Sequence, residues 1–154
     1  MTVPLDDQLL IEHIQRLLDS YRHWTGRELI PAEKPPKERT RALFYQPFIV
    51  LSHGTQEDPI LNYGNQAALA LWEMTWEEFT SMPSSLTAEP MNRAERARIL
   101  SQVTRNGYVD DYRGVRISKS GRRFLVERAT VWNILDENGR YAGQAATFDH
   151  WTYL

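Results

Sequence analysis

The side chains able to do chemistry in this chain are few, and their spacing excludes most of it. His13, His23, His53 and His150 show no short ligand spacing, and no Cys assists them. They read as structural or solvated histidines, and no metal site is expected. Asp110 and Asp111 could suggest paired acid–base carboxylates, but adjacent residues of a regular strand point to opposite faces. They read as surface charges. The Ser-containing segment 81–85 lacks a nucleophile elbow, and no glycine-rich phosphate loop is present. No catalytic residue is assigned.

Arg113, Arg116, Lys119, Arg122, Arg123 and Arg128 crowd around one turn. An anion or RNA site is the sharp reading of that cluster. A solvated hairpin balanced by Asp110, Asp111 and Glu127 fits better with a formal net charge of −2. Arg116 stands apart, because it lies mid-strand between Val115 and Ile117. Trp72, Trp132 and Gln144 could line a pocket, or the two tryptophans could be plain core and Gln144 could satisfy a local backbone group.

These residues need elements to position them, and 154 residues suffice for one domain with a core. Hydrophobic residues make up 42 % and charged residues 25 %, an ordinary globular balance. The absence of Cys removes disulfides, thiolate catalysis and Cys-based metal sites. No apolar run approaches the roughly 20 residues of a membrane span, and the acidic start lacks the regions of a signal peptide. A cytoplasmic location is the expectation, without membrane association or direct nucleic-acid binding.

Leu9, Leu10, Ile14, Leu17, Leu18, Tyr21 and Trp24 recur at helical spacing, so residues 6–24 read as an amphipathic helix between Asp6 and Gly26. Residues 27–43, with Pro31, Pro35, Pro36 and many charges, read as an extended, solvated linker. Short strands are expected at 48–52 and 60–63, and a short helix capped by Asn65 follows. Thr75 and Glu78 form a capping box. A longer helix runs from Asn92 to about Arg105 and stops at Asn106-Gly107. Three strands close the chain, over 108–117, 123–134 and 141–150.

The central strand of that trio carries large apolar groups at both even and odd positions, including Phe124, Val126 and Trp132 against Leu125 and Val131. A sheet with one wet face should alternate, so both faces are expected to be covered. The order predicts an α+β fold: a five-stranded antiparallel sheet with helices on one face. The N-terminal helix then covers the other face or mediates dimerisation.

Asn65-Gln66-Ala67-Ala68-Leu69, Thr75-Trp76-Glu77-Glu78-Phe79, Asp136-Glu137-Asn138-Gly139 and Phe148-Asp149-His150-Trp151-Thr152 fall in the order of PAS-domain landmarks. More closely, the segment 61–151 resembles the MEKHLA domain, a PAS-like family. The matching stretches include Leu71-Trp72-Glu73, Thr87-Ala88-Glu89-Pro90 with Arg93 and Glu95-Arg96, Gly114-Val115-Arg116-Ile117-Ser118, Gly121-Arg122-Arg123-Phe124, Val131-Trp132-Asn133 and Gly143-Gln144-Ala145-Ala146. The family's six-letter string is absent, and no DNA-binding segment accompanies these residues. The transcriptional role of the plant members therefore does not carry over.

The resemblance implies a PAS-like MEKHLA domain over 44–154, and the residues' own patterning places an amphipathic helix at 1–26 and the linker at 27–43 before it. It implies a non-catalytic sensory or interaction module that binds a small molecule or a protein partner and forms a homodimer. Trp72, Arg116, Phe124, Trp132 and Gln144 are the candidate ligand-binding residues. The cofactor stays unknown. Flavin–thiol photochemistry needs a Cys that is absent, and haem needs an axial ligand where the long helix offers no His. A scaffold without ligand is the alternative, and a small enzyme using Arg116 and Asp149 is a third reading.

Overall fold

The computed structural model describes residues 2–154. Helix α1 spans Gln8–Thr25; the Asp7 side chain accepts from the Leu10 amide at its start, and Gly26, at φ 73°, ends it. A left-handed C-terminal glycine is the usual helix stop. Helix α2 spans Pro36–Phe44. Strands β1 (Ile49–His53) and β2 (Leu61–Gly64) form a hairpin. Helices α3 (Gln66–Trp72) and α4 (Trp76–Phe79) follow, then a 3-10 turn at Ser84–Thr87 and α5 (Pro90–Asn106). Strands β3 (Tyr108–Ile117), β4 (Arg123–Leu135), β5 (Tyr141–Phe148) and β6 (His150–Tyr153) complete the chain.

All strand pairs are antiparallel. The sheet order is β2-β1-β5-β4-β3, and β6 pairs with the first half of β4. The expected five strands are thus joined by a sixth, which starts at the last residue of the strand expected over 141–150 and runs beyond it to Tyr153.

Both faces of the sheet are covered, as the two-sided apolar pattern of β4 demands. On one face Val50, Tyr63, Trp132, Ile134 and Ala145 pack against Ile14, Leu17, Leu18 and Tyr21 of α1. Each large apolar side chain buried there contributes about 1.5–3 kcal/mol. Three directional bonds fix the helix: Trp132 Nε1 donates to the Leu17 carbonyl at 3.2 Å, Trp24 Nε1 to the Asn133 carbonyl at 2.9 Å, and the Leu135 amide to Ser20 Oγ at 2.8 Å. Helix α1 therefore covers the sheet of its own chain. On the other face Ile49, Leu61, Phe124, Val126, Ala129 and Phe148 pack against Ala68, Leu71, Trp72 and Phe79.

Residues 27–43 are not the extended linker expected from their prolines and charges. Ile30 is buried, and α2 packs on α1. Pro36 occupies the first helical position, where its missing N–H costs nothing. Arg39 is buried and donates to Gln15 Oε1 at 3.0 Å, while Gln15 donates to the Pro36 carbonyl at 3.1 Å.

Strand β4 also breaks the simple alternation. Arg128 has φ 56°, a left-handed conformation that costs a non-glycine residue about 1–2 kcal/mol. The β3–β4 register shifts on the partner strand between Val109 and Gly114. Beyond this irregularity the face assignment inverts: Phe124 and Val126 share a face with Ala129, while Trp132 and Ile134 lie on the α1 side.

Candidate functional site

A cavity of about 70 Å³ lies between the sheet and the helices α3–α5. Strand β1 contributes Leu51 and His53 to it, β4 contributes Val126, Ala129 and Val131, and β5 contributes Gln144, Ala146 and Phe148. Trp72 enters from the end of α3, Ser84 and Thr87 from the 3-10 turn, and Arg96, Ile99 and Leu100 from α5. Tyr112 and Arg116 come from β3. The walls are mostly apolar, and no Asp, Glu or Lys is among the lining residues.

The polar groups are individually anchored. Arg96 donates through Nη2 to Ser84 Oγ at 2.8 Å. Arg116 donates to its neighbour's carbonyl, that of Val115, at 2.7 Å and to the Tyr112 hydroxyl at 3.0 Å, with its guanidinium over the Tyr112 ring. Burial, and then the Arg116 charge, pull the Arg96 guanidinium down to about 10. Neither arginine takes part in an ion pair among the described residues. His53 Nδ1 contacts the Gly54 carbonyl at 3.0 Å. A carbonyl only accepts, so Nδ1 carries the proton, and burial holds the ring below its ordinary pKa and neutral. His53 Nε2 and Trp72 Nε1 are buried without a hydrogen-bond partner.

Gln144 is committed to the protein. Its Nε2 lies 3.0 Å from the Leu100 carbonyl, 3.0 Å from Thr104 Oγ1 and 3.1 Å from Asn133 Oδ1. Gly143 beside it has φ 130°, and a Cβ there would fall 2.3 Å from the His53 carbonyl oxygen. Only glycine allows β5 to approach β1 so closely.

The cavity brings together three of the five residues expected from the sequence: Trp72, Arg116 and Gln144. Phe124 does not line it but packs edge-on against Trp72, with ring centroids 5.3 Å apart. Trp132 is a correction. It lies on the opposite face, under α1, because the irregularity at Arg128 inverts the second half of β4. Arg116 and Asp149 do not meet, since Asp149 is exposed and bonded to His150 Nδ1. Of the other basic residues, Arg113 pairs with Glu127, Lys119 with Glu78 and Arg123 with Glu89, while Arg122 covers the Tyr153 ring. Sequence reasoning missed Arg96 and His53. The spacing Arg96, Ile99, Leu100, Val103 marks the inward face of α5 and was the available signal.

The MEKHLA domain family model matches residues 11–153. The chain belongs to the MEKHLA domain family. The match begins inside α1, so most of the covering helix and all of α2 lie within the matched MEKHLA domain. Among the relatives of this MEKHLA domain, homeobox-leucine zipper protein ATHB-9 of Arabidopsis thaliana is 26 % identical over 100 residues, or 65 % of this chain and 12 % of that protein. Homeobox-leucine zipper protein HOX29 of Oryza sativa subsp. indica is 25 % identical over 142 residues, 90 % of this chain and 16 % of that protein. The chain thus spans less than a fifth of the length of either plant protein.

Among solved structures, the MEKHLA domain is similar to a PAS domain from Colwellia psychrerythraea. The TM-score is 0.65 at 17 % identity, covering 77 % of this chain and 95 % of that one. An RNA-binding light-oxygen-voltage receptor gives a TM-score of 0.63 at 21 % identity, covering 77 % of this chain and 34 % of that one. The fold of this MEKHLA domain is PAS-like. A flavin does not fit its cavity, which at about 70 Å³ is smaller than the roughly 150 Å³ apolar cavity that takes one benzene ring, and the chain has no Cys for flavin–thiol chemistry.

Proposed function

We propose that this MEKHLA domain is a non-catalytic sensory module that binds a small molecule between its sheet and α5. The observation that carries this reading is the cavity, apolar over most of its wall and with a few convergent polar groups, the usual composition of a ligand site. The hydroxyls at hand support a binding role rather than catalysis. Ser84 accepts from Arg96, Thr87 Oγ1 donates to the Ser84 carbonyl, and no carboxylate lines the site.

Native mass spectrometry of gently purified protein tests this. A bound small molecule, or a thermal shift with a member of a metabolite library, supports sensing. A clean apo mass with no shift across the library supports the scaffold reading instead. Homodimerisation is retained as a proposal, through surfaces other than the apolar stripe of α1, which packs on its own sheet. Sedimentation velocity across a concentration series tests it; a constant monomer mass would refute it.

A further inference from the structure

We propose that the ligand of this cavity is a small organic carboxylate with a short apolar tail, its carboxylate held by Arg96 and Arg116. The inference rests on the small-molecule reading above and names the chemical class that reading leaves open.

The charge balance of the cavity argues for an anion. Two guanidinium groups line one small, mostly apolar space, and no acidic side chain lines it with them. Among the described residues neither arginine has an ion-pair partner. Asp58 is the acidic residue whose charge reaches Arg96, and it is exposed, in the turn between β1 and β2. Partly buried like charges without a counter-ion are unfavourable: burial first, and then the Arg116 charge, weaken the hold of Arg96 on its proton. A bound anion reverses that cost.

Donor accounting points the same way. Each guanidinium carries five N–H donors. Arg116 uses two partners, the Val115 carbonyl and the Tyr112 hydroxyl, and Arg96 uses one, Ser84 Oγ. The anchored Nη atoms hold the two planar forks in place while leaving N–H groups for a ligand. Planar, bidentate recognition of a carboxylate is what such forks do best.

Size and wall chemistry choose among anions. Val126, Ala129, Val131 and Ala146 offer nothing to the outer oxygens of phosphate or sulfate, but they suit a short hydrocarbon tail. A cavity of about 150 Å³ admits the six non-hydrogen atoms of benzene, so about 70 Å³ suits a ligand on the order of three to four. Acetate falls in that range, and propionate and butyrate bracket its upper limit.

The test is a thermal-shift and calorimetric titration of the full chain at constant ionic strength. The probes are acetate, propionate and butyrate, each beside its neutral amide, with inorganic phosphate and nitrate alongside. The expected result is binding of a carboxylate and at least tenfold weaker binding of the matching amide. Arg96→Gln and Arg116→Gln should each weaken the carboxylate by about 10- to 100-fold, while Arg122→Gln, on the Tyr153 ring outside the cavity, should not. Equal binding of acid and amide overturns the inference, as does binding of phosphate or nitrate in preference to every carboxylate. A neutral molecule found bound in the native mass spectrum overturns it while leaving the sensory reading intact. Absence of binding by every probe, together with a clean apo mass, removes both. The acid–amide comparison uses the unaltered protein, so it decides the matter even if one arginine variant fails to fold.

Discussion

Gln144 donates to the Asn133 side-chain oxygen at 3.1 Å across the β4–β5 ladder, and the two side chains together hold the last turns of α5 to the sheet. Asn133 Nδ2 donates to the Val103 carbonyl at 2.9 Å, and Gln144 reaches the Leu100 carbonyl and Thr104. Helix ends leave carbonyls unpaired; Asn133 donates to the Thr104 carbonyl at 3.3 Å as well as to that of Val103, which also accepts from the Gly107 amide. Gln144 also lines the cavity.

Replacing Asn133 by Ala removes the side-chain donor shared by the Val103 and Thr104 carbonyls, leaves Val103 with the Gly107 amide as its remaining partner, and leaves Gln144 short of an acceptor. Loss of a buried partner costs about 1–3 kcal/mol. Chemical denaturation should show that loss. Amide exchange should accelerate in α5 before it does in β4; uniform acceleration would mean that the pair is not a local clamp.

Trp132→Phe tests the reassignment of that residue to the α1 face. The change removes the bond to the Leu17 carbonyl and part of a fully buried ring. A cost of about 1–3 kcal/mol is expected, with ligand affinity in the cavity unchanged. A selective loss of binding at unchanged stability would return Trp132 to the site.

His13 gives the α1 face a pH dependence. Its Nε2 lies 2.9 Å from Ser52 Oγ, and burial, then the Arg16 charge, lower it from 6.5 to about 4. Between those values the unfolded chain takes up a proton that the folded chain refuses. Folded-state stability therefore falls as pH drops from about 6.5 to about 4, and the contribution is flat below that window. The melting temperature should decline over this range, and His13→Gln should flatten part of the slope. An NMR titration of His13 centred near 6.5 would contradict the burial account.

Gly143→Ala and Gly139→Ala separate close approach from backbone conformation. Both glycines have positive φ, but nothing lies within 4 Å of a Cβ at position 139, whereas a Cβ at 143 meets the His53 carbonyl. Each should lose about 1 kcal/mol or more from conformation alone. The Gly143 variant should lose distinctly more, and its β1–β5 amides should exchange faster. Equal losses would show that the strands can part without cost.

Local signals in the sequence were reliable where one residue type has one physical use. The Thr75–Glu78 capping box forms in both directions, Asn65 caps α3 through the Ala68 amide, and Gly26 ends α1. The cover on both faces of β4 follows from its unbroken apolar run. Three features were not legible. Helix α2 hides behind prolines, because Pro36 at a helix start and Pro36 in a linker look alike without the Gln15 and Arg39 contacts. The face of Trp132 depends on a left-handed Arg128, a conformation that no glycine advertises there. Arg96 is ordinary among the many surface arginines until the fold turns its side of α5 toward Arg116.

The backbone of Asn133 touches both layers at once. Its N–H donates to the Gly107 carbonyl, at the end of α5, and its carbonyl accepts from Trp24 at the end of α1. The Trp24 ring also closes over Gly107, leaving no space there for even a methyl group. The two helices, on opposite sides of a sheet, are therefore coupled in series through one residue and one contact. Any displacement of the C-terminal end of α5 at Gly107 meets the Trp24 ring directly, so the cavity side and the α1 side of this sheet share one contact.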